Sequence, residues 1–327
     1  MATVSFSPPL LDQQIYGEDL TILSKEPDRI VYRLNGSGAA GEETRITAYQ
    51  VFPGIQLVYR DIHSPSCTIC QHCTRPLLEI SHCREGRLEY ESGDSFCYVM
   101  PGDMAILHRH DATYSTHFPL HHYHGISVLM DLTEVPRCLS CFLEDVTVSP
   151  HDIADKFCRE RPFFVCRSSS GIEHIFSELY QVPAAQQKGY CKVKVLELML
   201  YLAAFSPAVD ETSQKSCSRS QVELAKQVCA YLTAHISDRI TLEQLSAIFH
   251  MSGTSIKNSF RLVYGESVYN YIRTRKMQMA ADLLRSTDAT VLEIAGRFGY
   301  DNASKFSSAF KDVHGVTPQV FRTGTPR

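Results

Sequence analysis

Residues 241–265, TLEQLSAIFHMSGTSIKNSFRLVYG, and residues 290–315, TVLEIAGRFGYDNASKFSSAFKDVHG, decide the reading of this chain, because the second echoes the first. Thr241, Leu245 and Phe249 return 49 residues later as Thr290, Ile294 and Phe298. Ile256, Phe260, Arg261 and Gly265 return 50 residues later as Phe306, Phe310, Lys311 and Gly315. One extra residue in the intervening turn absorbs the difference. Each copy opens on a capping box, Thr241 with Gln244 and Thr290 with Glu293. The hydroxyl and the side chain three positions on satisfy amides that a starting helix leaves free. Each copy then predicts a short helix, a turn (250–253 and 299–302), a second helix and a terminal glycine suited to a C-cap. That is helix-turn-helix geometry written twice. Between the copies Tyr271, Ile272, Ala280, Leu283 and Leu284 keep helical spacing. They predict one rod over 267–286, about 30 Å long at a rise of ~1.5 Å per residue. Successive major grooves on one face of B-DNA lie about 34 Å apart, so such a rod presents two helices to adjacent grooves.

Charge points the same way. The 327 residues carry 32 Lys and Arg against 36 Asp and Glu, a net −4 that conceals an asymmetry. From Arg219 onward 14 basic residues meet 9 acidic ones, whereas the preceding part has 18 against 27. A basic last third on an acidic chain reads as a polyanion-binding module joined to something else. With 44% hydrophobic and 21% charged residues the chain is globular, which excludes disordered, collagen-like and coiled-coil classes. The start, MATVSFSPPLLDQQ, lacks the features of a signal peptide. The most apolar helical stretch, 195–205, is too short to cross a bilayer. Twelve cysteines then read as reduced thiols, and the expected location is cytoplasmic, without membrane contact.

Working outward toward the N-terminus, ITAYQVF, IQLVYRDI, LLEISHC, RLEYES, FCYVM and ISVLMDL read as short strands separated by turns. Their close spacing argues for a small all-β barrel or sandwich. Residues 149–206 read as helical, with Ile172, Ile175, Phe176 and Leu179 on one apolar face and Val193, Leu196, Met199, Leu200 and Ala203 on another. SPAVDETSQKSCSRS has the composition of a linker. The expected organisation is therefore a β sensor domain over 1–148, a helical connector over 149–206, a linker over 207–219 and an all-α domain over 220–323.

ITLEQLSAIFHMS, YNYIRTRKMQMAADLLRST and VLEIAGRFGYDNASKFSSAFKDVHGVTPQVFR, in this order across roughly 221–322, closely resemble the DNA-binding domain of AraC/XylS-type transcriptional regulators. The N-terminal half, with its Pro101-Gly102-Asp103 turn, resembles the cupin-like ligand-sensing barrels of such regulators. LEISHCREGRLEY and FPLHHYHGISVLMDL resemble, more loosely, a branch that includes iron-siderophore sensors. The resemblance implies a cytoplasmic homodimer that binds double-stranded promoter DNA, responds to a small-molecule effector and works with RNA polymerase, activation being the commoner sign. It places the second helix of each motif in the major groove, with Thr254, Lys257 and Asn258, then Ser304, Lys305 and Ser308, toward the bases. Asn reads adenine, Lys donates to guanine and Ser pairs with several bases. Arg261, Lys311, Arg273 and Lys276 fall to phosphate or structural contacts. Ile256, Phe260, Phe306 and Phe310 are expected in the core. The helix around 193–205 is the candidate dimer face, burial within the monomer being the alternative.

Two patterns in the N-terminal half invite metal chemistry. Cys67, Cys70 and Cys73 are spaced CxxCxxC, with His63, His72, His82 and Cys83 nearby, and Cys138 and Cys141 form a CxxC pair. Thiolates and imidazoles at such spacings suit zinc or an iron–sulfur cluster, but no fourth cysteine follows at cluster spacing. His108-Arg109-His110 and His122-Tyr123-His124 have the HxH spacing of cupin metal ligands without the carboxylate that normally follows, and His117 and His121 lie between them. A metal or metal-chelate effector and an organic effector both stay open, with His82, Tyr90, His108 and His110 as the effector-binding candidates. The alternative whole-chain reading is a cupin-type metal protein or enzyme with an accessory DNA-binding domain. No nucleophile elbow, phosphate loop or dinucleotide fingerprint supports catalysis, and a non-enzyme is expected.

Overall fold

The computed structural model describes residues 15, 20–34, 44–63, 66–72, 75–109, 113–137, 139, 146–160, 163–183, 186–206 and 217–324. Structural statements below concern these residues. The chain forms two compact units, 1–218 and 219–327.

In the first unit the described strands are β1 (Leu20–Glu26), β2 (Arg29–Leu34), β3 (Arg45–Phe52), β4 (Ile55–Ile62), β5 (Ser66–His72), β6 (Leu77–Gly86), β7 (Leu88–Ser92), β8 (Ser95–Val99), β9 (Asp103–Arg109), β10 (Thr113–His117), β11 (Tyr123–Asp131) and β12 (Phe163–Arg167). They pair antiparallel in two sheets, ordered β1-β2-β3-β4-β11-β6-β9-β12 and β5-β10-β7-β8. The expected closed barrel is thus replaced by two open sheets. The physical reason lies in the central strands, which are apolar on both faces. Val58, Leu77, Leu107 and Leu129 share one core with Leu88, Tyr90, Cys97 and Val99 of the smaller sheet. Leu57, Ile80, Ile106 and Val128 share another with the helices. A sheet buried on both sides needs a layer on each.

That second layer is α1 (Pro150–Cys158), α2 (Ser170–Leu179) and α3 (Gln187–Ala204). Ser149 and Ser169 cap α1 and α2 by accepting from the amides of Asp152 and Ile172. Lys156 donates to the carbonyls of Leu202 and Ala203, satisfying the C-terminal end of α3. Val195, Leu198, Met199 and Leu202 of α3 are buried against the sheet, while Val193 is 62% exposed. The apolar face read from sequence is therefore divided: Met199 belongs to the core, Val193 and Ala203 face outward, and Leu196 and Leu200 are half-buried. A second difference is β12, a strand inside a segment that reads as helical. Its run Phe163–Arg167 is fixed as a strand by register with Asp103–Leu107 of β9. The pairing is long-range, so local periodicity does not contain it.

The second unit is helical: α4 (Arg219–Ala234), α5 (Leu242–Phe249), α6 (Gly253–Tyr264), α7 (Val268–Ser286), α8 (Val291–Arg297), α9 (Ala303–His314) and α10 (Pro318–Thr323). Both capping boxes form, with Thr241 donating its amide to Gln244 Oε1 at 2.8 Å and Thr290 donating to Glu293 Oε2 at 2.6 Å. Helix α7 serves two cores. Near its start Tyr271 packs on Phe260 and Tyr264, ring centroids 5.4 and 4.7 Å away. Farther along, Met277, Ala280, Ala281 and Leu284 join Ile294, Phe298, Phe306 and Phe310. Ile256, Phe260, Phe306 and Phe310 are each at most 1% exposed, as their spacing predicts.

Candidate nucleic-acid interface

Each motif presents its second helix with a buried stripe on one side and a polar stripe on the other. On α6, Ile256, Ser259, Phe260 and Val263 are buried while Thr254, Lys257, Asn258 and Arg261 are exposed. Positions 254, 257, 258 and 261 follow the i, i+3, i+4, i+7 pattern that lines one face of a helix. On α9, Phe306, Ala309 and Phe310 are buried while Ser304, Lys305, Ser308 and Lys311 are exposed. The ends of these helices are fixed by local chemistry. Ser252 accepts from the Ser255 amide at 3.1 Å, and Asn302 Oδ1 accepts from the amides of Ser304 and Lys305 at 2.8 and 3.3 Å. Gly265 and Gly315 end them at φ 80° and 75°, backbone that a glycine adopts without strain.

The two basic residues of α7 separate in role. Arg273 forms an ion pair with Asp312 of α9 and keeps its side chain 30% exposed. Lys276 donates to the Phe298 carbonyl at 2.9 Å, at the turn of the second motif, and burial holds its ammonium below the usual lysine range. It braces the α8–α9 turn rather than facing outward. Helix α7 has 19 residues, about 28 Å at a rise of ~1.5 Å.

The first unit contains a polar core that local sequence reading misses. Arg60 donates to Glu79 Oε1 at 2.6 Å, and Arg109 donates to Glu79 Oε2 through Nε and Nη2 at 3.1 and 2.8 Å. Ser127 adds a fourth bond at 3.2 Å. Burial pushes the Glu79 carboxyl upward, but the two guanidiniums outweigh it and hold it at about 2. The signal in the sequence is a charge at an inward position of an apolar strand: Arg60 in IQLVYRDI, Glu79 in LLEISHC and Arg109 in DMAILHR. These three line a narrow space between the sheets with Leu88, Tyr90, Thr116, Phe118 and Tyr123. The Thr116 and Tyr123 hydroxyls are buried there without a hydrogen-bond partner among the described residues.

The sequence-derived effector candidates are not brought together. Tyr90 lines that space. His82 stacks on Phe176 of α2 at 4.6 Å and bonds Glu173 at 2.9 Å, on the helix-covered side. His108 is half-buried, on the same face of β9 as Met104 and Ile106. His110, Cys73, Cys138 and Cys141 lie outside the described residues, as do the side chains of Cys67 and Cys70, whose backbone belongs to β5.

A chain with two capped helix-turn-helix motifs on one connecting helix is a helix-turn-helix protein by construction. Residues 245–324 match the family model described as "Helix-turn-helix domain". The C-terminal unit carries an AraC-type helix-turn-helix domain. The chain is 35% identical over 99 residues to YdiP of Escherichia coli K12, an uncharacterized HTH-type transcriptional regulator, covering 30% of this chain and 33% of that protein. It is 25% identical over 132 residues to an uncharacterized HTH-type transcriptional regulator of Staphylococcus aureus strain COL, covering 40% of this chain and 17% of that protein. The chain thus spans a third or less of the length of these relatives. Among solved structures it resembles the C-terminal domain of AraT, a response regulator from Geobacillus stearothermophilus, at 30% identity and a TM-score of 0.30, covering 32% of this chain and 87% of that one. No described helix is long and apolar enough to cross a membrane.

Proposed function

We propose that this protein is an effector-responsive transcriptional regulator, an activator that binds promoter DNA as a homodimer through its C-terminal unit and engages RNA polymerase. The observation that carries the reading is the pair of matched polar stripes, 254/257/258/261 and 304/305/308/311, on two similarly capped helices joined by α7. Lys257, Asn258, Ser304 and Lys305 carry the base-reading chemistry, and Arg261, Lys311 and Arg273 supply phosphate contacts. The names of the relatives, HTH-type transcriptional regulators, support the same role.

The N-terminal unit acts as the sensor, on a cupin-like plan of two facing sheets. Its effector is a small molecule, and the space around Arg60, Glu79, Arg109 and Tyr123, with room for about one water, must widen to hold it. The buried hydroxyls of Thr116 and Tyr123 there are met by a single water as readily as by an entering ligand. Effector binding biases the dimer between states of different affinity for paired half-sites. The outward residues of α3, Val193 first among them, form the dimer face.

The test is in vitro selection of DNA by the full chain, followed by titration of the selected site. Lys257→Ala is expected to cost about 1–3 kcal/mol there and to relax preference at one base, whereas Lys311→Ala weakens all sequences alike and lowers the salt slope. Uniform weakening by both variants would show that the base-reading assignment is wrong.

A further inference from the structure

We propose that Asp61, His63 and His124 form a binding site for a divalent transition-metal ion, Zn2+ being the natural probe, at the exposed end of the helix-covered face of the large sheet. The site is separate from the interior space. Register builds it: Asp61 of β4 sits directly across from His124 of β11, and His63 follows two residues after Asp61 on the same face. The Nε2 atoms of His63 and His124 converge on one carboxylate oxygen, Asp61 Oδ1, at 2.9 and 3.4 Å. The two rings meet edge to face with centroids 5.2 Å apart. All three ligand atoms lie within 4.8 Å of one another.

Those distances match what a zinc ion needs. Two donors each about 2.1 Å from a tetrahedral ion lie about 3.4 Å apart. Small side-chain rotations therefore admit the ion, with each imidazole carrying its proton on Nδ1 and ligating through Nε2. Two imidazoles and one carboxylate leave a fourth position for water or another donor. His122 stands beside the site, its ring 6.4 Å from that of His124. Its Nδ1 donates to the Leu120 carbonyl at 3.1 Å, which leaves the Nε2 lone pair available. Imidazole donors select Zn2+, Ni2+ or Cu2+ over Mg2+ and Ca2+, which prefer all-oxygen shells. Arg60 and Tyr123, the sequence neighbours of Asp61 and His124, point to the opposite face and line the interior space. A second group, Glu89, Glu91 and His117, is less suited, because Glu89 already accepts from the Tyr98 hydroxyl at 2.7 Å.

The experiment is competition titration of the full chain with Zn2+ against a chromophoric chelator, in a Cys67→Ser/Cys70→Ser/Cys73→Ser/Cys138→Ser/Cys141→Ser background that removes both clustered thiolate patterns. One Zn2+ per chain is expected, with Mg2+ failing to displace it. His63→Gln and His124→Gln are each expected to weaken binding about 100-fold or more, since even outer-shell changes cost 10–100-fold. His174→Gln, on the exposed face of α2, is expected to leave affinity unchanged. Replacing Zn2+ with Co2+ supplies an independent readout, a visible absorption band that disappears in the His63 and His124 variants. Loss of Zn2+ binding in the serine background, or unaltered affinity in both histidine variants, overturns the proposal.

Discussion

Glu79→Gln is the substitution whose consequence the structure fixes most closely. The carboxylate is fully buried and accepts four hydrogen bonds, one from Arg60, two from Arg109 and one from Ser127. Glutamine keeps the shape but removes the charge that both guanidiniums share. Two routes give the same magnitude. Removing one partner of a buried ion pair costs about 3–5 kcal/mol. Holding the carboxyl at about 2 instead of 4.5 corresponds to about 3 kcal/mol at ~1.4 kcal/mol per pH unit. The sign follows from linkage. Between pH 4.5 and 2 the unfolded chain takes up a proton that the native protein refuses, so this contribution is whole above 4.5 and fades as pH falls toward 2. Urea unfolding of the full chain, with hydrogen exchange of β6 and β11 amides isolating the first unit, measures it. The gap between the native protein and the Gln variant should be about 3 kcal/mol or more at pH 7 and should close as pH approaches 2. A gap below about 1 kcal/mol at pH 7, or one that stays constant down to pH 2, refutes the reasoning.

Three further outcomes are expected. Lys276→Met leaves the Phe298 carbonyl without its partner and should cost about 1–3 kcal/mol of stability, while the salt slope of DNA binding is expected to stay unchanged, the ammonium being engaged by that carbonyl. Arg261→Ala, by contrast, should lower that slope by about one, so parallel titrations at several salt concentrations separate the two. Thr290→Ala removes one arm of a capping box and should cost about 1 kcal/mol in thermal unfolding; a change within the error of the melt would show that the box contributes nothing. Gly125→Ala drives a methyl into the Tyr123 hydroxyl and to 2.8 Å from the His82 carbonyl oxygen. It should cost about 1–3 kcal/mol by overpacking, and Tyr123→Phe in the same chain should recover part of the loss.

Legibility in the sequence followed the range of the interactions. Capping boxes, C-cap glycines and the apolar stripes of α5 to α9 arise within four residues of each other, so periodicity locates them and they form where expected. The strands containing Ala48, Leu57, Ile80, Tyr90, Cys97 and Val128 were equally visible as short alternating or apolar runs. For Lys276 the sequence left phosphate and structural contact both open, and the donation to the Phe298 carbonyl is visible only in the fold.

By itself the sequence determined the doubled helix-turn-helix unit, its polar stripes and the β character of the first half, because each rests on local hydrogen bonding and repeat spacing. Tertiary structure alone decided which strands share a sheet and which layer covers each face. It made β12 a strand, set Arg60 and Arg109 on the same carboxylate across 19 and 30 residues, and brought His63 to His124 through the β4–β11 register. Pairing partners far apart in the chain are chosen by burial and register, which no window of neighbouring residues records.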